Sequence, residues 1–182
     1  MTFEELRDRV VINLGGRNDT DTLSTIMAKT NFLIEWLAAQ QEWEELQQVI
    51  STAFVASQSS YTLSELGLSD ADKVYSVKMN DGSRWQPPMM SVTRVIWNRD
   101  YASFIDSVEG RPTVWCKFGG KLYFARTPDD DYSVEIDVYQ QPTKVTGTAS
   151  VIPFSNLDGL FEAVVTALTW LSVGEKELFS AW

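Results

Sequence analysis

A chain of 182 residues with 44% hydrophobic and 22% charged side chains is long enough to bury a core and too apolar to stay disordered. It contains no histidine and one cysteine, Cys116, which excludes His-dependent triads, imidazole metal sites, disulfides within the chain and cysteine-rich zinc cages. Fifteen basic residues against 25 acidic ones give a formal net charge of −10, the wrong sign for a protein that gains affinity by neutralising phosphates.

The opening MTFEELRDRV is charged and amphipathic, so no secretion signal is expected there. Thr2 and Glu5 form a capping box, and Phe3, Leu6, Val10 and Leu14 recur at helical spacing until Gly15-Gly16 stops the run. A longer helix follows, capped within Asp19 to Asp21, with Leu23, Ile26, Met27, Ile34 and Leu37 on one face. Phe32, Trp36, Ala39 and Trp43 fall on the opposite side, so this helix is expected to be covered from two directions.

From Leu46 the character turns extended, through Val49, Ile50, Thr52, Phe54 and Val55, then Ser59-Ser60 and Tyr61-Thr62-Leu63. Lys73 to Met79 alternates as a strand, and Asn80-Asp81-Gly82 predicts a hairpin into Ser83 to Gln86. After Pro87-Pro88, Ser91 is expected to cap a helix to about Ile105 bearing Val92, Val95, Ile96 and Tyr101. Gly119-Gly120 joins strands Thr113 to Phe118 and Lys121 to Arg126 in a two-residue hairpin. Tyr132 to Tyr139 alternates Val134, Ile136 and Val138 with polar residues. A final helix from about Asn156 carries Leu157, Leu160, Phe161, Val164, Leu168 and Leu171 as one stripe, with Trp170 on the other side. Its apolar window, Ala163 to Val173, falls short of the roughly 20 residues a membrane span needs.

Helices, then strands with one inserted helix, then a helix, define an α+β fold: N-terminal helices, an antiparallel β-sheet or small β-barrel, and a C-terminal amphipathic helix. A single domain over 1–182 is expected, with a helical part at 1–43 and 156–182 and a β part at 46–142.

Phosphate-loop and dinucleotide signatures are absent. Asp129-Asp130-Asp131 lacks the alternating spacing of a calcium loop and reads as a solvated turn after Pro128. Glu44-Glu45 and Asp70 with Asp72 are halves of no recognisable carboxylate pair, so a histidine-free carboxylate hydrolase is disfavoured. Cys116, beside Trp115 and without a histidine to activate it, reads as an inert core thiol. No catalytic residue, cofactor or metal is expected, and hence no enzyme.

Seven tryptophans, six tyrosines and nine phenylalanines exceed what catalysis would require and suit desolvated contact surfaces. The candidate interface residues are Phe32, Trp36, Trp43, Trp170, Leu178, Phe179 and Trp182.

The order of pieces resembles the bacteriophage head-to-tail connector adaptors. The likeness rests on Trp43 closing paired helices, Ser59-Ser60-Tyr61-Thr62-Leu63, Val74 to Val77 with Asn80-Asp81-Gly82, and Gly110-Arg111-Pro112. It continues through Gly120-Lys121-Leu122-Tyr123-Phe124, Thr127-Pro128-Asp129, Tyr132 to Tyr139, and Ile152-Pro153 before the last helix. An acidic Ser64 to Asp72 replaces a shorter proline-containing segment, and Trp182 follows soon after the last helix, where a long portal-gripping tail is not expected. The resemblance implies a structural adaptor forming a ring of twelve copies between portal and tail. Such a ring would extend the DNA channel and accept the tail. Its implied partners are copies of itself, the portal protein, a tail or nozzle protein, and double-stranded DNA passing through without specific binding; no membrane is involved. The implied location is the virion neck, with the host cytoplasm during assembly. The alternative is another neck or tail component, of the tail-completion or nozzle type.

Overall fold

The computed structural model describes residues 1–80, 82–104 and 108–180, with side chains in the last helix followed to Val173. Two compact units form, Met1–Leu46 with Pro142–Trp182, and Gln47–Gln141.

The first unit is helical. α1, Phe3–Asn13, begins at the expected capping box: the Thr2 hydroxyl accepts the Glu5 N–H, and the Glu5 carboxylate accepts the Thr2 N–H at 2.8 Å. Phe3, Leu6, Val10 and Leu14 are buried. Met1 and Phe3 pair with the segment at Ser150–Ile152, which anchors the start of the helix. α2, Thr20–Gln40, is capped by Asp19, whose carboxylate accepts from the Thr22 N–H at 2.9 Å and hydroxyl at 2.7 Å.

The face that α2 buries is Thr22, Ile26, Thr30, Leu33, Ile34 and Leu37, with Leu23 and Met27 only half-buried. The threonines enter the stripe because their hydroxyls are satisfied locally; Thr30 donates to the Ile26 carbonyl at 2.8 Å. α4, Asp158–Ser180, buries Phe161, Val165 and Thr169. The predicted stripe is therefore out of phase. Leu160 and Leu171, expected inside, are 42% and 65% exposed.

Among the described residues the second unit holds seven strands in two sheets, with no closed barrel. The antiparallel three-stranded sheet has the order β1 (Gln47–Phe54), β7 (Tyr132–Gln140), β3 (Ala71–Asn80). The mixed four-stranded sheet has the order β2 (Ser60–Thr62), β6 (Lys121–Ala125), β5 (Val114–Phe118), β4 (Met90–Ser91). Phe54, Val77, Ile136 and Val138 of the first sheet and Tyr61, Leu122 and Phe124 of the second meet in one buried cluster. Ring centroids of Phe54 and Phe124 lie 4.3 Å apart at its centre. The β5–β6 hairpin turns on Gly119 (φ 59°) and Gly120 (φ 73°), where two successive positive φ values demand glycine.

The expected hairpin after β3 is short: Asn80 bridges Trp85 antiparallel and Gln86 donates its N–H to the Met79 carbonyl at 2.8 Å, with Asp81 outside the described residues. The next expectation fails. Ser91 caps no helix; it lies in β4, which pairs parallel with β5. Thr93 is the cap instead, for α3 (Arg94–Ile96), which continues as a π turn over Trp97–Tyr101 and a 3-10 turn over Ala102–Phe104. Of the apolar side chains expected on it, Val95 and Ile96 are 76% and 37% exposed, while Val92 and Tyr101 pack against the cluster around Trp97. Trp97 anchors it, buried against Tyr101 and Tyr123. The predicted end at Ile105 lies outside the described residues.

Candidate docking surfaces

Several of the polar side chains that the sequence singles out are taken up by structure. Asp131 accepts the Ala56 N–H at 2.8 Å, and Asp129 accepts the Tyr132 hydroxyl at 2.7 Å. The triple aspartate thus builds the turn into β7. Its bond to Asp129 pushes the Tyr132 phenol up to about 12. Glu45 accepts from the Ser155 hydroxyl at 2.7 Å, which lowers its carboxyl below the ordinary value. Cys116 is 1% exposed, and burial pushes its thiol up, away from the thiolate that chemistry at sulfur needs. Among the described residues no group of histidine, cysteine, aspartate or glutamate is placed to hold a metal ion.

What the helical unit presents instead is apolar surface facing away from its core. On α2, Phe32 and Trp36 stand one turn apart and are 56% and 49% exposed, opposite the buried stripe as the periodicity requires. Nearby, Asn31 clamps the loop after Pro142: its amide donates to the Val145 carbonyl at 3.0 Å and its carbonyl accepts the Val145 N–H at 2.7 Å. Lys144 adds an ion pair to Glu35 at 2.6 Å. This surface is therefore held on a fixed scaffold.

On α4, Leu160, Ala163, Ala167, Trp170 and Leu171 are all exposed on the side away from Phe161, Val165 and Thr169. Trp170 is 49% exposed, with the Arg17 guanidinium 6.0 Å from its ring. A shallow depression of about 490 Å³, lined by Asn13, Glu162, Ala163, Thr166 and Ala167, adjoins this face. Asn13 and Arg9 both reach Glu162, at 3.0 and 3.6 Å, and tie α1 to α4 beside it.

Trp43 lies elsewhere. Because α2 ends at Gln40, Trp43 is not on the helix; it folds back so that its indole N–H donates to the Leu37 carbonyl at 2.8 Å and its ring meets Phe154 at 5.0 Å. It is half-buried in the helical unit. The side chains of Leu178 and Phe179, and all of Trp182, lie outside the described residues. Leu160 and Leu171 are the docking candidates that sequence reasoning missed, because it assigned both to the buried stripe.

The chain is thus a histidine-free α+β protein, several of whose carboxylates serve turns and caps and whose helices turn tryptophan and leucine outward. The chain belongs to the SU10 adaptor protein family, whose model matches residues 1–174. It is thus a bacteriophage adaptor protein, and the resemblance drawn from its motifs holds at the level of the family. A search of curated proteins gave no match. No helix among the described residues is long and apolar enough to cross a membrane.

Proposed function

We propose that the chain is a structural, non-enzymatic adaptor of the virion neck that assembles as a ring of twelve copies between portal and tail. The ring extends the DNA channel and offers the tail its attachment site. The observation that carries this reading is the pair of outward apolar faces, Phe32 with Trp36 on α2 and Leu160 with Trp170 and Leu171 on α4. A closed ring is built from heterologous contacts, which need two different complementary patches on each subunit. Repetition of a modest contact around a ring then gives firm attachment through effective concentration. The net charge of −10 suits a channel through which DNA slides without being held, since like charge opposes phosphate binding. Trp43, Leu178, Phe179 and Trp182 are further contact residues in this reading.

The test is co-sedimentation of the purified chain with the portal ring, with stoichiometry read from the mass of the complex. A saturable complex with about one copy per portal subunit is expected. A folded chain that binds tail but not portal places it further down the neck, and one that binds neither refutes the reading.

A further inference from the structure

Strand edges that face water invite pairing with another chain, and proteins blunt them with shortness, bulges, charge or a covering segment. Three of the four sheet edges in the second unit are blunted. β2 has three residues and β4 has two. β3 carries Asp72, Lys73 and Lys78, its register breaks twice, and Gln86 and Met89 donate backbone N–H groups to its Met79 and Val77 carbonyls. The fourth edge is different. β1 runs eight residues in unbroken register with β7, and its sequence QQVISTAF has no charge, proline or glycine. Its other side has no backbone partner among the described residues.

We propose that the β1 edge is a strand-addition site for an extended segment of a neighbouring neck protein, with a lysine or arginine opposite Ser51. This rests on the neck reading above. The basic side chain follows from the outward face of the sheet, where Ser51 lies directly opposite Glu135 of β7 and Lys78 lies opposite Glu135 from the other side. Lys78 gives its ammonium to Asp137 at 3.3 Å, and Glu135 makes no ion pair among the described residues. A strand added beyond β1 stands two strand spacings, about 10 Å, from β7. An extended basic side chain and a glutamate bridge that span only because the residue between them is as small as serine.

A second copy of this chain is not the occupant. Its other edges are blunted, and β1 paired antiparallel with β1 makes an isologous contact that closes at two copies, which no ring of heterologous contacts contains.

The experiment is hydrogen exchange on the intact chain, alone and in complex with the portal ring or the tail, together with binding by Ser51→Lys. In the free chain, alternate amides of β1 lack a carbonyl acceptor, so about half of that strand exchanges early. In one of the two complexes those amides become protected. Ser51→Lys forms a favourable pair across the strands with Glu135 and keeps its melting temperature, but charges the edge and takes the carboxylate; binding falls at least tenfold. If the parent binds while β1 stays unprotected, or if Ser51→Lys binds like the parent, strand addition is wrong and the neck reading stands. Protection in an assembly of this chain alone assigns the edge to a second copy and overturns the proposal. Failure of the parent to bind either ring or tail removes both readings together.

Discussion

Replacing Trp170 by alanine separates a docking surface from a core. A tryptophan side chain offers about 200 Å² of surface, and with 49% of Trp170 exposed about half of that is covered within the subunit. At about 25 cal/mol per Å² the covered half is worth at most about 2.5 kcal/mol to folding, and about 1.5–2 against a realistic unfolded chain. Alanine returns about 0.5 kcal/mol as the better helix former, so the net cost to folding is about 1–1.5 kcal/mol. That lowers the melting temperature by about 3–5 °C in a chain of this size. The exposed half, if a partner desolvates it, is worth about 2.5 kcal/mol per contact, a loss of about 60-fold in affinity. Differential scanning calorimetry beside a sedimentation assay for assembly reads both numbers. A melting temperature that falls by more than about 10 °C, with assembly lost in proportion, makes Trp170 an ordinary core residue. Unchanged assembly removes the α4 face from the docking surfaces.

Thr169 is fully buried and its hydroxyl has no hydrogen-bond partner among the described residues; Thr169→Val keeps the shape, removes a desolvated hydroxyl, and is expected to stabilise by about 1 kcal/mol in chemical denaturation. Glu5, held below its ordinary value of 4.5 by the Thr2 N–H and hydroxyl, stabilises the fold above that pH. This contribution is lost as pH falls through its lowered value, so acid unfolding of Glu5→Gln should show a shallower decline below pH 4.5. Tyr132, raised from 10.0 to about 12 by its bond to Asp129, contributes stability fully present below pH 10 and lost as pH rises toward 12. Ultraviolet titration should find Tyr132 among the late-ionising tyrosines of the parent, with Tyr61 also raised by burial, and a lower midpoint for Tyr132 in Asp129→Asn.

The sequence was most legible where local chemistry decides structure. The Thr2–Glu5 box, the Asp19 cap, the Gly119-Gly120 turn and the alternation of Val134, Ile136 and Val138 each fix their element without help from afar. It was least legible where a partner across the fold decides. Thr22, Thr30 and Thr169 sit in buried stripes because neighbouring helices cover them, and counting apolar residues alone set the phase of α4 wrong. β4 is two residues long, and only β5 beside it makes it a strand. Phe32, Trp36 and Trp170 were found as outward aromatics because each falls off its helix's stripe, whereas Leu160 and Leu171 were hidden by the same error of phase. Trp43 was misplaced because nothing in Gln40 to Trp43 announces the end of α2.

The helical unit is written in two pieces, Met1–Leu46 and Pro142–Trp182, with Gln47–Gln141 between them. The contacts that close it join residues far apart in the chain, as Asn31 to Val145 and Asn13 to Glu162 show. A ribosome therefore emits α1 and α2, then the whole of the β unit, before α4 exists for them to pack against. Synthesis proceeds at about 5–20 residues per second, so the early helices wait several seconds with their apolar stripe uncovered. The surface formed on α4 is made only after the whole β unit, and no chain that stops short of α4 can present it.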